Sequence, residues 1–334
     1  DLEARDDSPN AYQNSSKVTR WAIYALLADL NLWKGNWDNA IRYCDLVIDY
    51  KRQQYKEMLE REGNVNNIDL IDSIPMILEK PVGSTTCGNT YNEIFGTGNS
   101  FESIFELYFS TTQSQKNTWV SSYYGDNNNT VGRLSAPDFL FKDVATGSNN
   151  MFKKTDGRAY ESAESSNSRY AITKYVRNSV KYSTQNVTTE RDLQLTSSRR
   201  SNNNANWIFY RMPDIFLMKA EAISQLYGNE DNLDTEKLAE GFKYVRDVFK
   251  RSNPYAYDKQ HNTSARNDSL KPDNFNTKET LERLVLDERQ REFYGEGKRW
   301  YDLVRYALRR GGTSEMLKIY SKKKTDDMNS VKVK

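Results

Sequence analysis

The sequence predicts a mostly α fold: TPR-like helical hairpins form a scaffold, and one long irregular segment with few short strands packs on it. Helical periodicity is clear at both ends of the 334 residues and fades between them. Small residues, Ala28 and Ala40, flank a central Gly35 in a unit of TPR size. The middle is rich in Asn, Ser, Thr, Gly and Tyr. The chain divides into a hairpin at 17–58, a loop-rich region at 59–209, further helices at 210–310 and a tail at 311–334, within a single domain.

In the first hairpin, Trp21, Tyr24, Leu27 and Ala28 recur at helical spacing. Lys34-Gly35-Asn36 makes the turn, Gly35 being suited to the left-handed conformation that ends a helix. Trp37, Ala40, Ile41, Cys44 and Val47 share one face of the second helix. One such unit leaves a face uncovered, so further units are expected. They recur after Pro213, at a first-turn position, through Ile215, Phe216, Met218, Ala220 and Ala222 to Leu226. Beyond a loop at Gly228, Leu238, Phe242, Val245, Val248 and Phe249 mark the partner helix. Thr277 caps a third pair, with Glu279 and Glu282 in its first turn. Its apolar positions are Leu281, Leu284, Val285 and Phe293, then Trp300, Leu303, Val304 and Leu308 after Gly295-Glu296-Gly297.

Residues 101–109 and 170–175 read as strands within the middle region. Runs of Asn at 127–129 and 202–204, and Gly147-Ser148-Asn149-Asn150, signal turns. So long a segment inside a compact protein is usually functional, which directs the search for a ligand there.

Bulk composition excludes several classes. With 48 basic and 46 acidic residues the net charge is +2, and no concentrated basic footprint suggests a nucleic acid. No apolar run reaches the length of a membrane-spanning helix, and the charged first residues are not a signal peptide. Cys44 and Cys87 are too few for a disulfide framework or a zinc site. The single His261 lies in a polar stretch without a second histidine, and neither a P-loop nor a dinucleotide fingerprint occurs. No cofactor is expected. Asp143 and Asp156 are compatible with a structural calcium ion, but no EF-hand pattern accompanies them.

Two constellations stand out. In Glu288-Arg289-Gln290-Arg291-Glu292, the two glutamates share a helix face, a spacing that also suits paired-carboxylate catalysis. The surrounding Arg289, Arg299 and Arg305, with Asp302, favour a structural ion-pair network that lowers carboxyl pKa values and disarms general acids. The second is aromatic: Trp119, Tyr123 and Tyr124 stand in a polar segment ending near Asn127, with Tyr91 a weaker counterpart. Their rings either bury the apolar faces of sugars or peptide side chains, with neighbouring amides for the polar groups, or anchor the loop to the helical body.

Several of these segments together resemble the SusD/RagB family. Residues 288–293 and 296–305 (Glu-Arg-Gln-Arg-Glu-Phe, then Glu-Gly-Lys-Arg-Trp-Tyr-Asp-Leu-Val-Arg) resemble its C-terminal signature. Residues 210–222, 101–107, Asp156-Gly157-Arg158 and Thr173-Lys174-Tyr175 are similar to its earlier segments, in the same order. The family's further N-terminal helices, lipidated cysteine and Pro- and Asn-rich ending are not seen, so the chain is expected to be a fragment of a longer protein. The resemblance implies a TPR scaffold carrying a loop-rich ligand face and no catalytic activity. It implies capture of glycans, or of peptides in some members, beside a SusC-like TonB-dependent transporter at a Bacteroidetes outer membrane, with a lipid anchor. It also implies that the signature motif holds the hairpins together rather than touching ligand. An intracellular TPR scaffold for a partner protein is the alternative of another class, and the long irregular middle argues against it.

Overall fold

The computed structural model describes residues 15–61, 75–80, 87–128, 130–144, 149, 151–166, 169–184, 193–253, 269–312 and 314. His261 and the tail from 315 onward lie outside the described residues. The first hairpin forms from α1 (Arg20–Lys34) and α2 (Trp37–Arg61). Thr19 caps α1, its hydroxyl accepting from Ala22 N at 3.2 Å. Gly35 closes it with φ 74°, a left-handed conformation that costs glycine little. The buried seam is made of Ala22, Ala25, Ala28 and Leu32, so the backbones of neighbouring helices approach closely. Trp21 and Tyr24 sit at its margin, where Trp21 stacks on Tyr50 with centroids 3.9 Å apart.

Three more long helices and a shorter one complete the scaffold: α7 (Met212–Tyr227), α8 (Thr235–Ser252), α9 (Lys278–Glu292) and α10 (Arg299–Arg309). Helix α7 is buried on nearly every side, because α2, α8 and α9 all pack on it. Asp234 caps α8, and Thr277 exchanges hydrogen bonds with Thr280 at the start of α9. One apolar core joins Ala28, Val47, Phe216, Val245 and Leu281 across these helices. Helix α10 departs from expectation. Trp300 and Leu308 face outward while Asp302 and Arg305 are buried, because the inward side of this helix meets charged partners.

The middle region is more ordered than its composition predicts. It contains α3 (Asn89–Tyr91) running into a π-helical turn, β1 (Ser103–Leu107), α4 (Thr118–Tyr123), β2 (Ser135–Ala136), α5 (Asp138–Phe141), α6 (Gly157–Ser162), β3 (Ala163–Ser166), β4 (Arg169–Ile172), β5 (Arg177–Thr184), β6 (Leu193–Arg199) and β7 (Trp207–Arg211). All pairings are antiparallel: β1 with β7, β2 and β3 on either side of β4, and β5 with β6. A second apolar core, with Tyr91, Phe95, Phe141, Phe152 and Tyr175, lies under these elements. The predicted strands appear as β1 and β4, whereas the β5–β6 hairpin and β7 were not anticipated.

Candidate ligand-binding site

A buried charge network fixes the middle region on the scaffold. From α6, Arg158 donates to Glu288 at 2.7 Å and to Glu292 at 2.9 Å on α9, and also pairs with Asp156 at 2.7 Å. Arg211, at the junction of β7 and α7, reaches Glu292 at 2.5 Å and Glu296 at 2.7 Å. Arg251 on α8 joins Glu292 to Glu102, which precedes β1. Lys174 binds Glu296 at 2.8 Å. Burial opposes ionisation of Glu292, but Arg251, Arg211 and Arg158 hold its carboxyl well below the usual carboxylate range. A carboxyl so placed stays ionised at neutral pH and is a poor proton donor.

A second branch binds the helices to one another. Arg289 pairs with Asp302 at 2.7 Å, and Arg305 with Glu221 at 2.7 Å and Asp302 at 3.1 Å. Of the six residues expected in the ion-pair network, Arg299 is the exception. Its Nη1 donates to the Leu286 carbonyl at 2.8 Å, and it forms no ion pair among the described residues. Burial, only partly offset by Asp302 and Asp287, lowers its pKa. Asp156, considered for calcium, caps α6 and has its two carboxylate oxygens bound by Arg158, so it has little to offer a cation.

The aromatic residues fall into two environments. Asn117 caps α4 through Val120 N, which turns a segment expected to be a loop into a short helix. Trp119 and Tyr123, four positions apart, therefore share a face and stack with centroids 5.0 Å apart. Trp119 keeps 42% of its surface exposed. Trp207 on β7 meets it edge-on at 4.9 Å and stacks in turn on Tyr175 at 4.9 Å. Arg133 lies over the Tyr123 ring at 5.8 Å. The result is a half-open aromatic platform backed by the β1–β7 ribbon, with Asn127 exposed nearby.

Tyr124 and Tyr91 do not belong to its open face. Tyr124 is 4% exposed and supports Trp119 from beneath, its hydroxyl donating to the Gly295 carbonyl at 2.8 Å. Tyr91 is 1% exposed, and its hydroxyl donates toward the carbonyls of Thr173 and Arg177. Both rings are core residues, because a tyrosine in a polar sequence can still point inward when its hydroxyl finds a carbonyl. Trp207 was missed from sequence. Its signal was the alternation across Trp207, Ile208 and Phe209, in which only Ile208 is fully buried.

The platform loop is fixed by a close approach. A Cβ at Gly132 would lie 2.4 Å from the backbone carbon and oxygen of Tyr123, so only glycine fits. Leu134 N donates to the Tyr123 carbonyl at 2.9 Å on the same stretch.

Comparison with known proteins places this architecture. A SusD-like protein, P38, from Formosa agariphila is 34% identical over 125 residues, which cover 35% of this chain and 21% of that protein. A SusD superfamily protein from Bacteroides vulgatus, whose crystal structure is known, superposes with TM-score 0.50 at 17% identity, over 89% of this chain and 52% of the other. A surface glycan-binding protein A from Bacteroides thetaiotaomicron superposes with TM-score 0.45 at 20% identity, covering 91% of this chain and 57% of that one. The chain thus spans about half the length of these solved relatives. The SusD family matches residues 33–333, from the turn of the first hairpin through both branches of the charge network, and the chain belongs to that family.

Proposed function

We propose that this chain is the ligand-capturing part of a cell-surface glycan receptor, which holds an oligosaccharide without chemistry and passes it to a SusC-like TonB-dependent transporter. The observation that carries this reading is Trp119, a ring left 42% exposed in an otherwise packed aromatic cluster. An exposed flat ring with rigid support covers the apolar face of a sugar, and it loses little conformational freedom on binding. Membership of the SusD family supports nutrient capture as the setting. Binding without catalysis is supported by the state of Glu288 and Glu292, both buried and paired with arginines, Glu292 bordering a cavity of only about 40 Å³, far below the size of a ligand site. A lipid-anchored location at the outer membrane completes the reading. No helix among the described residues is long and apolar enough to cross a membrane.

The test is calorimetric titration of wild type and Trp119→Ala with plant, microbial and host glycans and a peptide library. Saturable glycan binding that the substitution weakens about tenfold or more is the expected outcome. Binding of peptides alone would replace the glycan reading with peptide capture. Undiminished glycan affinity in Trp119→Ala would overturn the platform.

A further inference from the structure

The platform does not end at Trp207. The same ring also borders a groove of about 700 Å³, between α1, β7 and the start of α10. That volume is in the range of small-molecule sites. Trp33 on α1, Phe209 on β7 and Tyr301 on α10 line it and are all exposed, and Trp207 lines it as well as touching Trp119. We infer that this groove is a second saccharide subsite, taking further units of a neutral oligosaccharide whose first units rest on Trp119 and Tyr123. The inference rests on the proposed glycan reading and extends it to ligand charge and length.

Three observations select a neutral carbohydrate. The charged side chains around the groove are already engaged with one another. Lys298 pairs with Asp214 at 2.5 Å, Arg305 with Glu221 at 2.7 Å, and Asp29 accepts from the Tyr210 hydroxyl at 3.0 Å while facing Arg305 at 3.7 Å. An acidic or basic ligand would have to compete with these pairs, whereas a neutral one leaves them intact. Second, the lining residues Arg289 and Asp302 are only 5% and 3% exposed and pair with each other at 2.7 Å, and their solvent-shielded Nη1 and Oδ2 atoms have no hydrogen-bond partner among the described residues. The guanidinium and the carboxylate offset each other's charge, so this part of the groove wall carries no net charge to recruit an ion. Third, strand addition by a peptide is obstructed. The Phe209 carbonyl of β7 is taken by Lys298 Nζ at 2.5 Å, which removes an acceptor that an added strand would need.

The probes are neutral heptasaccharides of glucose, mannose and xylose and the corresponding trisaccharides, titrated against wild type, Trp119→Ala, Trp33→Ala and Tyr301→Ala. Substituting either groove ring is expected to weaken the heptasaccharide by about tenfold, the worth of one ring contact, and to leave the trisaccharide unchanged. Trp119→Ala is expected to weaken both lengths. Both groove rings are exposed, so thermal melts should superimpose on wild type; Trp33→Phe, which keeps a flat ring, should retain most of the affinity. Equal heptasaccharide affinity in wild type and both groove variants would overturn the second subsite while leaving the platform standing. Loss confined to the groove variants, with Trp119→Ala unaffected, would overturn the platform and the shared path. Silence of wild type toward every saccharide would remove both.

Discussion

Arg211 and Glu292 lie 81 positions apart, yet the Arg211 guanidinium donates to the Glu292 carboxylate at 2.5 Å, with both side chains almost wholly buried. The same carboxylate accepts from Arg251 and Arg158, so one glutamate neutralises cations from β7, α8 and α6. Removing its charge takes one anionic partner from three buried guanidiniums at once, although Arg158 keeps Asp156 and Glu288, Arg211 keeps Glu296 and Arg251 keeps Glu102. Glu292→Gln is expected to destabilise the fold by about 3–5 kcal/mol, the cost of breaking a buried pair from one side. A lower denaturant midpoint with an unchanged slope would report it. Because the folded-state pKa of Glu292 is depressed, its contribution is present above the unfolded carboxyl value and is lost as pH falls through the folded one. The deficit of the variant is therefore full above pH of about 4.3 and shrinks on further acidification. An equal deficit at strongly acid pH would count against this assignment.

Glu161 behaves in the opposite sense. Burial raises its pKa to about 7, while a hydrogen bond from the Tyr182 hydroxyl pulls the other way. A carboxyl whose folded pKa lies above its unfolded one stabilises the fold fully below the unfolded value. That contribution is lost as pH rises through the folded value. Wild type is expected to lose on the order of 3 kcal/mol between the unfolded carboxyl pKa and neutrality through this group alone. Glu161→Gln keeps the acceptor for Tyr182 and should flatten that part of the pH–stability curve. Chemical denaturation at several pH values from mildly acid to neutral is the measurement; an unchanged slope in the variant would contradict it.

These two residues also show what was legible in the sequence. Helices α1, α2, α7, α8 and α9 were readable because amphipathic periodicity and caps such as Thr277 act locally. Glu292 was readable as an ion-pair residue from the arginines beside it. Its partners Arg158, Arg211 and Arg251 come from distant segments, so its role in joining scaffold to ligand face was not. The strands β5, β6 and β7 were missed because their stability depends on pairing partners and packing, which composition does not record. On the platform, Trp119 and Tyr123 were found as a cluster of rings in a polar stretch. Trp207, brought to them by β7, needed the fold.

The platform depends on backbone geometry as well as on its rings. Adding a methyl at Gly132 would force it against the Tyr123 carbonyl and Gly125 N, at 2.4 and 2.6 Å. Neither neighbour is a flexible side-chain end, so the loop and α4 must shift. Gly132→Ala is expected to cost about 1–3 kcal/mol and to weaken saccharide binding although it removes no contact atom. Paired thermal melts and titrations check this; native affinity in a folded variant would mean that the loop adapts and that its position is not what sets the platform.

The hydroxyls of Tyr124 and Tyr91 separate support from contact. Tyr124 lies against Trp119 with ring centroids 5.0 Å apart and ties that ring to the turn before α10 through the Gly295 carbonyl. Tyr91 acts in the second core, away from the open face, between Thr173 and Arg177. Each Tyr→Phe change deletes one donor, Tyr124→Phe from the Gly295 carbonyl and Tyr91→Phe from a Thr173 carbonyl that keeps the Val176 and Arg177 N–H groups, for an expected loss of about 1 kcal/mol or less. If both rings are structural, neither change alters saccharide affinity by more than about twofold, far less than the tenfold that a lost ring contact brings. Calorimetry on the two variants beside Trp119→Ala decides the matter. A large affinity loss in Tyr124→Phe at unchanged stability would return its hydroxyl to the ligand face, and with it the polar partner that the platform would otherwise draw from Asn127.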